Sequence, residues 1–244
     1  MNLDVLAIGA HPDDVELSCG GTLALLAHGG HPVGIVDLTR GELGTRGTRE
    51  IRAKEAEEAA RILGAQVRVN LELPDGNIQI DPENRNKLIR IIRRYRPKIL
   101  LIPHWLERHP DHERAHHLSR EAWFFAGVAK IQTVDEDGEE QKPYRPPRYF
   151  HYMQRYEFHP SFIIDITTVI NQRMDAVRAF KSQFFNPSTK GPETFLSKPE
   201  FLDFLVSRFA YYGSLIGTRY GEPFFSIEPI GLSDPFQIIM GEEG

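Results

Sequence analysis

The 244-residue chain is 41% hydrophobic and 26% charged, ordinary proportions for a globular protein with room for one sizeable α/β core. Its 29 basic residues against 34 acidic ones give a net charge of −5, so no global basic field directs it to nucleic acid or an anionic membrane. The single cysteine, Cys19, excludes an intrachain disulfide and a thiolate-rich zinc site.

Leu3 to Ala10, Val33 to Leu38, Val67 to Leu71 and Ile99 to Pro103 are short runs rich in Val, Ile and Leu, the pattern of strands buried on both faces. Helical patterns lie between them over Asp14 to His28, Thr48 to Leu63 and Pro82 to Tyr95, the last with Leu88, Ile91, Ile92 and Tyr95 on one stripe. This alternation predicts right-handed crossovers and a Rossmann-like, three-layer α/β fold with a mostly parallel sheet over residues 1–130. The acidic DEDGEEQK, Asp135 to Lys142, reads as an exposed loop or hairpin tip before the proline-rich KPYRPPR. Strands are expected again over Tyr149 to Gln154 and Phe162 to Ile166, and helices over Val169 to Phe184 and Pro199 to Ile216. Residues 131–244 are expected to cap and close the same single domain. The N-terminal MNLDVLAIGAHPDD lacks the basic and apolar regions of a signal peptide. No apolar run approaches the roughly 20 residues of a membrane span. A soluble, cytoplasmic protein with no membrane or nucleic-acid partner is the expectation.

Ligands of open α/β sheets bind beyond the carboxyl ends of the strands. His11, Pro12, Asp13 and Asp14 follow the first strand, and Pro12 ends it because it has no N–H to donate. Either aspartate could be a simple helix N-cap. A cap does not account for His11 and the second aspartate. Gly20 and Gly21 match neither a Walker loop nor GxGxxG with its acidic partner, which argues against a nucleotide-binding Rossmann protein. The second cluster, RHPDHERAHH from Arg108 to His117, follows the strand KILLIPHW and emerges at the same sheet edge. Two HPD motifs in adjoining loops supply the nitrogen and oxygen donors that Zn²⁺ accepts, three from protein in catalytic sites.

His104, His116 and His117 read first as surface or packing histidines, with His116 also placed one helical turn from His112. Cys19 reads as a small buried helix residue. Arg52 falls on the apolar face of its helix with Ile51, Ala56, Ala59, Ile62 and Leu63. An inward guanidinium needs a partner, either Glu55 or a substrate carboxylate, and Arg49 is a neighbouring candidate for the same roles.

AHPDD followed by HPDH resembles the LmbE or PIG-L-like family of zinc-dependent N-acetylglucosaminyl deacetylases. GGTLALLAHGG, IVDLTRGELGTRGTREIRAKEA, LPDGN, RHPDHERA and AFKSQF extend the resemblance, especially to the bacillithiol-type N-acetylglucosaminyl-malate deacetylases. The resemblance implies His11, Asp14 and His112 as ligands of one Zn²⁺ per subunit, with Fe²⁺ or Co²⁺ able to take the same ligands. It implies Asp13 as general base, His109 as acid or oxyanion stabiliser oriented by Asp111, and Arg52 as a contact to the substrate's acidic aglycone. Alternation alone does not choose between Asp13 and Asp14 as the ligand. The GEPF stretch resembles a family loop near the pocket, which makes Glu222 a candidate substrate contact. Some relatives place a tyrosine where KPEFLDFL here has Phe201, so Tyr211, Tyr212 and Tyr220 are considered as spatial substitutes.

The expected activity is removal of acetyl from N-acetylglucosaminyl-malate, a small-molecule amino sugar. The alternatives are an amidase or deacetylase of another glucosaminyl conjugate or a short chitooligosaccharide, and a non-catalytic sugar- or metal-binding module. The resemblance also implies a homo-oligomer, such as a hexamer.

Overall fold

The computed structural model describes residues 1–188 and 191–238. Its sheet is built from β1 (Val5–Gly9), β2 (Val33–Thr39), β3 (Val67–Leu73), β4 (Ile99–Pro103), β5 (Arg148–Tyr152), β6 (Phe162–Asp165) and β7 (Gly221–Phe225). The spatial order is β3-β2-β1-β4-β5-β7-β6. The first five are parallel neighbours, and β7 runs antiparallel between β5 and β6. β1 and β2 are buried at every residue, as their unbroken apolar runs require.

The helices are α1 (Asp14–Ser18), α2 (Gly20–His28), α3 (Arg49–Leu63), α4 (Pro82–Tyr95), α5 (Pro110–Ala126), α6 (Ile170–Ala179) and α7 (Pro199–Ser214). Leu88 and Ile92 of α4 and Leu118 and Ala122 of α5 cover one face of the sheet, against Leu6, Ile8 and Leu100. The other face is covered by Leu23 of α2, Ala59 and Leu63 of α3, Val177 of α6 and Phe209 of α7. The two apolar layers on either side of a mostly parallel sheet make the three-layer architecture. Local chemistry sets the helix ends: the Thr48 hydroxyl accepts from Ile51 N, and the Asp81 carboxylate from Asn84 N ahead of Pro82. No helix among the described residues is long and apolar enough to cross a membrane.

Two elements differ from the sequence reading. The helix expected over Asp14 to His28 breaks at Cys19 (φ −137°, ψ 17°), so that a second helix begins at Gly20. The break presents the N–H groups of Gly21 and Thr22 to Glu222, whose carboxylate accepts them at 2.8 and 2.7 Å. A Cβ on Gly21 would stand 2.8 Å from Glu222 Oε1, so only glycine permits this approach. GEPFF is the buried strand β7 rather than a pocket loop; a short segment carrying Glu and Pro conceals its strand character. Residues beyond 130 therefore do more than cap the core, since β5, β7 and β6 continue its sheet. The acidic excursion is an exposed turn tied by a bridge between Val134 and Glu140.

Candidate metal centre

β1 lies between β2 and β4, so the loops leaving the carboxyl ends of β1 and β4 adjoin. The first carries His11 and Asp13 and opens α1 at Asp14; the second ends on His109, with Asp111 and His112 in the first turn of α5. Asp13 holds φ 114°, ψ −22°, a conformation that strains a non-glycine residue, and it makes no side-chain cap bond to α1. Arg52 of α3 fixes this turn. Its Nη2 donates to Pro12 O at 2.6 Å, its Nη1 to Gly41 O at 2.8 Å, and Nη2 lies 3.5 Å from Asp13 Oδ2. Gly41 (φ +64°) leaves the room: a Cβ there would sit 1.9 Å from Nη1.

One nitrogen each from His11 and His112 and one oxygen of Asp14 lie within 4.8 Å of one another. Two imidazoles and a carboxylate are the donor set of a borderline divalent cation with one position left open, so these residues fit such an ion. His112 Nε2 is 3.1 Å and His11 Nδ1 3.5 Å from Asp14 oxygens, and Asp14 Oδ2 also accepts the His11 backbone N–H at 2.9 Å. Burial works against the Asp14 anion, but His112 and His11 outweigh it and hold the carboxyl well below its usual range. Burial dominates at Asp13 instead, pushing its carboxyl up to about 7 against the opposing pull of Arg52.

A second grouping, His11, His109 and Asp111, shares the same His11. His109 is the N-cap of α5, and its Nδ1 accepts the backbone N–H of Asp111 at 3.1 Å. That bond leaves Nε2 to carry the proton of the neutral ring. Burial, then the neighbouring His11 and His112, lower its pKa. The Asp111 carboxylate does not touch His109; it accepts Gly76 N at 2.6 Å and lies 3.5 Å from His11 Nε2.

His11, Asp13, Asp14, His109 and His112 line a cavity of about 420 Å³. Arg52 lines it too, but two of its donors are engaged by carbonyls, so it shapes the turn; Glu55 is not its partner and instead accepts Ser182 N and Oγ at 2.7 and 2.6 Å. Arg49 is exposed and lines a separate cavity rather than this one. Glu222 does not line this cavity either: it is fully buried, accepts the Thr22 hydroxyl at 2.7 Å and pairs with Arg173 Nε at 3.1 Å. Phe201 forms part of the cavity wall, stacked on Phe184 with centroids 5.8 Å apart. None of Tyr211, Tyr212 and Tyr220 lines the cavity; the Tyr212 hydroxyl donates to Met153 Sδ. His104 and His116 pack around Trp105 and His151 away from the cavity, and His117 is exposed. Cys19 is buried and its thiol is pushed well up by burial.

Sequence reasoning passed over Asp75. Its Oδ1 sits 3.1 Å from His11 Nε2 while Oδ2 accepts Leu43 N at 2.7 Å, the carboxylate–imidazole arrangement that fixes a metal-binding histidine. Burial opposes its charge, but the His11 bond lowers its pKa to about 2. The signal available was LPDGN, a carboxylate after a third parallel strand. Gln154, whose Nε2 donates to Asp14 Oδ1 at 2.9 Å, offered no signal, since an amide in a loop resembles any polar surface residue. Arg108 and Arg155 also line the cavity and have no ion pair among the described residues.

A family model described as PIG-L, GlcNAc-PI de-N-acetylase, matches residues 6–123. Diacetylchitobiose deacetylase of Thermococcus kodakarensis is 32% identical to the chain over 228 residues, covering 89% of this chain and 80% of that protein. 4-oxalmesaconate hydratase of Pseudomonas putida is 29% identical over 195 residues, 73% of each chain. The solved structure of the conserved protein TT1542 from Thermus thermophilus matches with a TM-score of 0.84 at 40% identity, over 96% of this chain and 98% of that one.

Proposed function

We propose, since the chain belongs to the PIG-L family and is a metal-dependent N-deacetylase, that it removes acetyl from an N-acetylglucosaminyl conjugate with an acidic aglycone, N-acetylglucosaminyl-malate in cytoplasmic bacillithiol biosynthesis. The observation that carries this reading is the polarity of the cavity. Its floor gathers Asp13, Asp14, Asp75 and three imidazoles, whereas its rim carries Arg108 and Arg155 without anionic partners among the described residues. A neutral acetamide at the floor and a carboxylate at the rim match that division.

His11, Asp14 and His112 are the residues that would hold the cation, zinc by their donor chemistry. When bound, such an ion supplies Lewis acidity that makes water acidic near neutral pH and polarises the acetamide oxygen. Asp13, beside these ligands, accepts the proton of the attacking water. Water oxygen bonds to the acetamide carbon, and the former carbonyl oxygen takes the negative charge. The Nε2–H of neutral His109 donates to that oxyanion, a role that does not require an imidazolium. The C–N bond then breaks with its electron pair on nitrogen, Asp13 returns its proton to the amine, and acetate and a free glucosamine amine leave. Arg52 supports both steps by holding Asp13 in its left-handed turn.

A second reading, deacetylation of a short chitooligosaccharide, is favoured by the 32% identical relative, whose name states that substrate. Acetate and primary-amine release from N-acetylglucosaminyl-malate, N-acetylglucosamine and diacetylchitobiose separates the two. Selective turnover of the malate conjugate supports the first reading, and preference for diacetylchitobiose replaces it with the second. Measuring amine also distinguishes hydrolysis from the hydration named for the Pseudomonas relative, which releases none.

A further inference from the structure

Glu107 and Arg208 are buried or half-buried groups of opposite charge, and neither has an ion pair among the described residues. Both hydrogen-bond to the backbone of one short segment, residues 153–156. Arg208 of α7 donates through Nη1 to Gln154 O and through Nη2 to Met153 O at 3.1 Å. Glu107, in the loop before α5, accepts Arg155 N at 2.5 Å and Tyr156 N at 3.1 Å. It also accepts Arg108 N at 2.7 Å, next to His109. The segment leaving β5 is therefore gripped by its carbonyls on one side and its N–H groups on the other.

What this clamp presents is the Gln154 side chain. Among the described residues its one hydrogen bond runs from Nε2 to Asp14 Oδ1 at 2.9 Å, the oxygen that His112 Nε2 also approaches at 3.1 Å. Its Oε1 is buried without a partner there. A buried amide with an unsatisfied oxygen is a poor structural device, because desolvation of that oxygen is unrecovered. The orientation is nonetheless fixed, since the reversed amide would set oxygen against the Asp14 carboxylate.

We propose that Gln154 is a positioning residue for the cation site, holding the Asp14 carboxylate toward His11 and His112, and that Glu107 and Arg208 serve this by clamping its backbone. The inference rests on His11, Asp14 and His112 being the ligands. Hydrogen-bond donors behind a ligating carboxylate fix its rotamer, and their loss commonly weakens metal binding by about 10- to 100-fold.

Zinc affinity of the full chain, measured by competition with a chromophoric chelator, tests it without using turnover. Gln154→Met keeps the length of the side chain and removes the donor; its zinc dissociation constant should rise about 10-fold or more with the melting temperature of the metal-free protein unchanged. A dissociation constant within about twofold of wild type, below that expected range, overturns the proposal. Glu107→Gln and Arg208→Met should shift zinc affinity in the same direction, and should add little when combined with Gln154→Met; an additive loss overturns their assignment to the clamp. His112→Ala is the control for the ligand set. If it binds zinc as wild type does, the ligand reading itself fails; if it loses zinc while Gln154→Met does not, only the positioning role fails.

Discussion

The His11 ring is held on both edges, with Nε2 3.1 Å from Asp75 Oδ1 and Nδ1 3.5 Å from Asp14 Oδ2. With Nε2 beside Asp75, Nδ1 is the nitrogen that faces Asp14. Asp75→Asn keeps the shape and removes the charge that orients and polarises the ring. Metal affinity or kcat/KM should fall about 10- to 100-fold, the usual cost of losing such a partner. Metal content after dialysis and a kcat/KM measurement check this; wild-type values for both would remove Asp75 from the site.

Asp13 is the residue whose loss should separate chemistry from metal binding. Asn tolerates a left-handed backbone better than most residues, so Asp13→Asn should fold with the turn at φ 114° intact. Removing a general base costs about 10²- to 10⁴-fold in rate. The expected outcome is a fall of that size in kcat with metal content retained, and comparable turnover by the variant would reject Asp13 as the base.

Arg155 and Arg108 should discriminate between substrates rather than drive the reaction. Truncating either to Ala removes a charge-assisted contact of about 1.5–3 kcal/mol, so KM for the malate conjugate should rise about 10-fold or more. KM for neutral N-acetylglucosamine should stay near its wild-type value. Parallel saturation curves on the two substrates provide the check, and equal effects on both would remove the rim arginines from aglycone recognition.

Glu222 predicts a stability effect without a catalytic one. Glu222→Ala leaves Arg173 fully buried and unpaired, and leaves two N–H groups at the start of α2 without an acceptor. Losing one partner of a buried pair costs about 3–5 kcal/mol. Urea unfolding should register the loss, with the milder Glu222→Gln available if the alanine variant does not fold. KM per folded molecule should not move; a specific rise in KM would restore Glu222 to the substrate.

Acid should weaken the fold through His151 and His116. Burial lowers the His151 ring to about 3 and the His116 ring to about 4. In the unfolded chain both titrate near 6.5, so between those values the unfolded state binds more protons and stability rises with pH. The stabilisation from keeping both rings neutral is full above about pH 6.5 and is lost progressively as pH falls toward about 4. Melting temperature measured from about pH 7.5 to about pH 4.5 should show this slope, and His151→Leu should flatten it; an unchanged slope in that variant would place the acid sensitivity elsewhere.

The alternation of buried strands and amphipathic helices was legible from the sequence alone, because the period of apolar residues is a local property. So was the gathering of His11, Asp13, Asp14, His109, Asp111 and His112 beyond two strand ends at one sheet edge, because β1 and β4 are parallel and both motifs follow strand ends. What each remaining polar group touches is a matter of tertiary structure. Arg52 was legible as inward-facing from its helix face, yet its partners are the carbonyls of Gly41 and Pro12, which no side-chain pattern records. Glu222 and Gly21 are far apart in the chain and meet only because β7 inserts between β5 and β6. Asp75 and Gln154 reach the site from loops after β3 and β5, each through one long-range hydrogen bond whose energy depends on distance and burial rather than on neighbours in sequence.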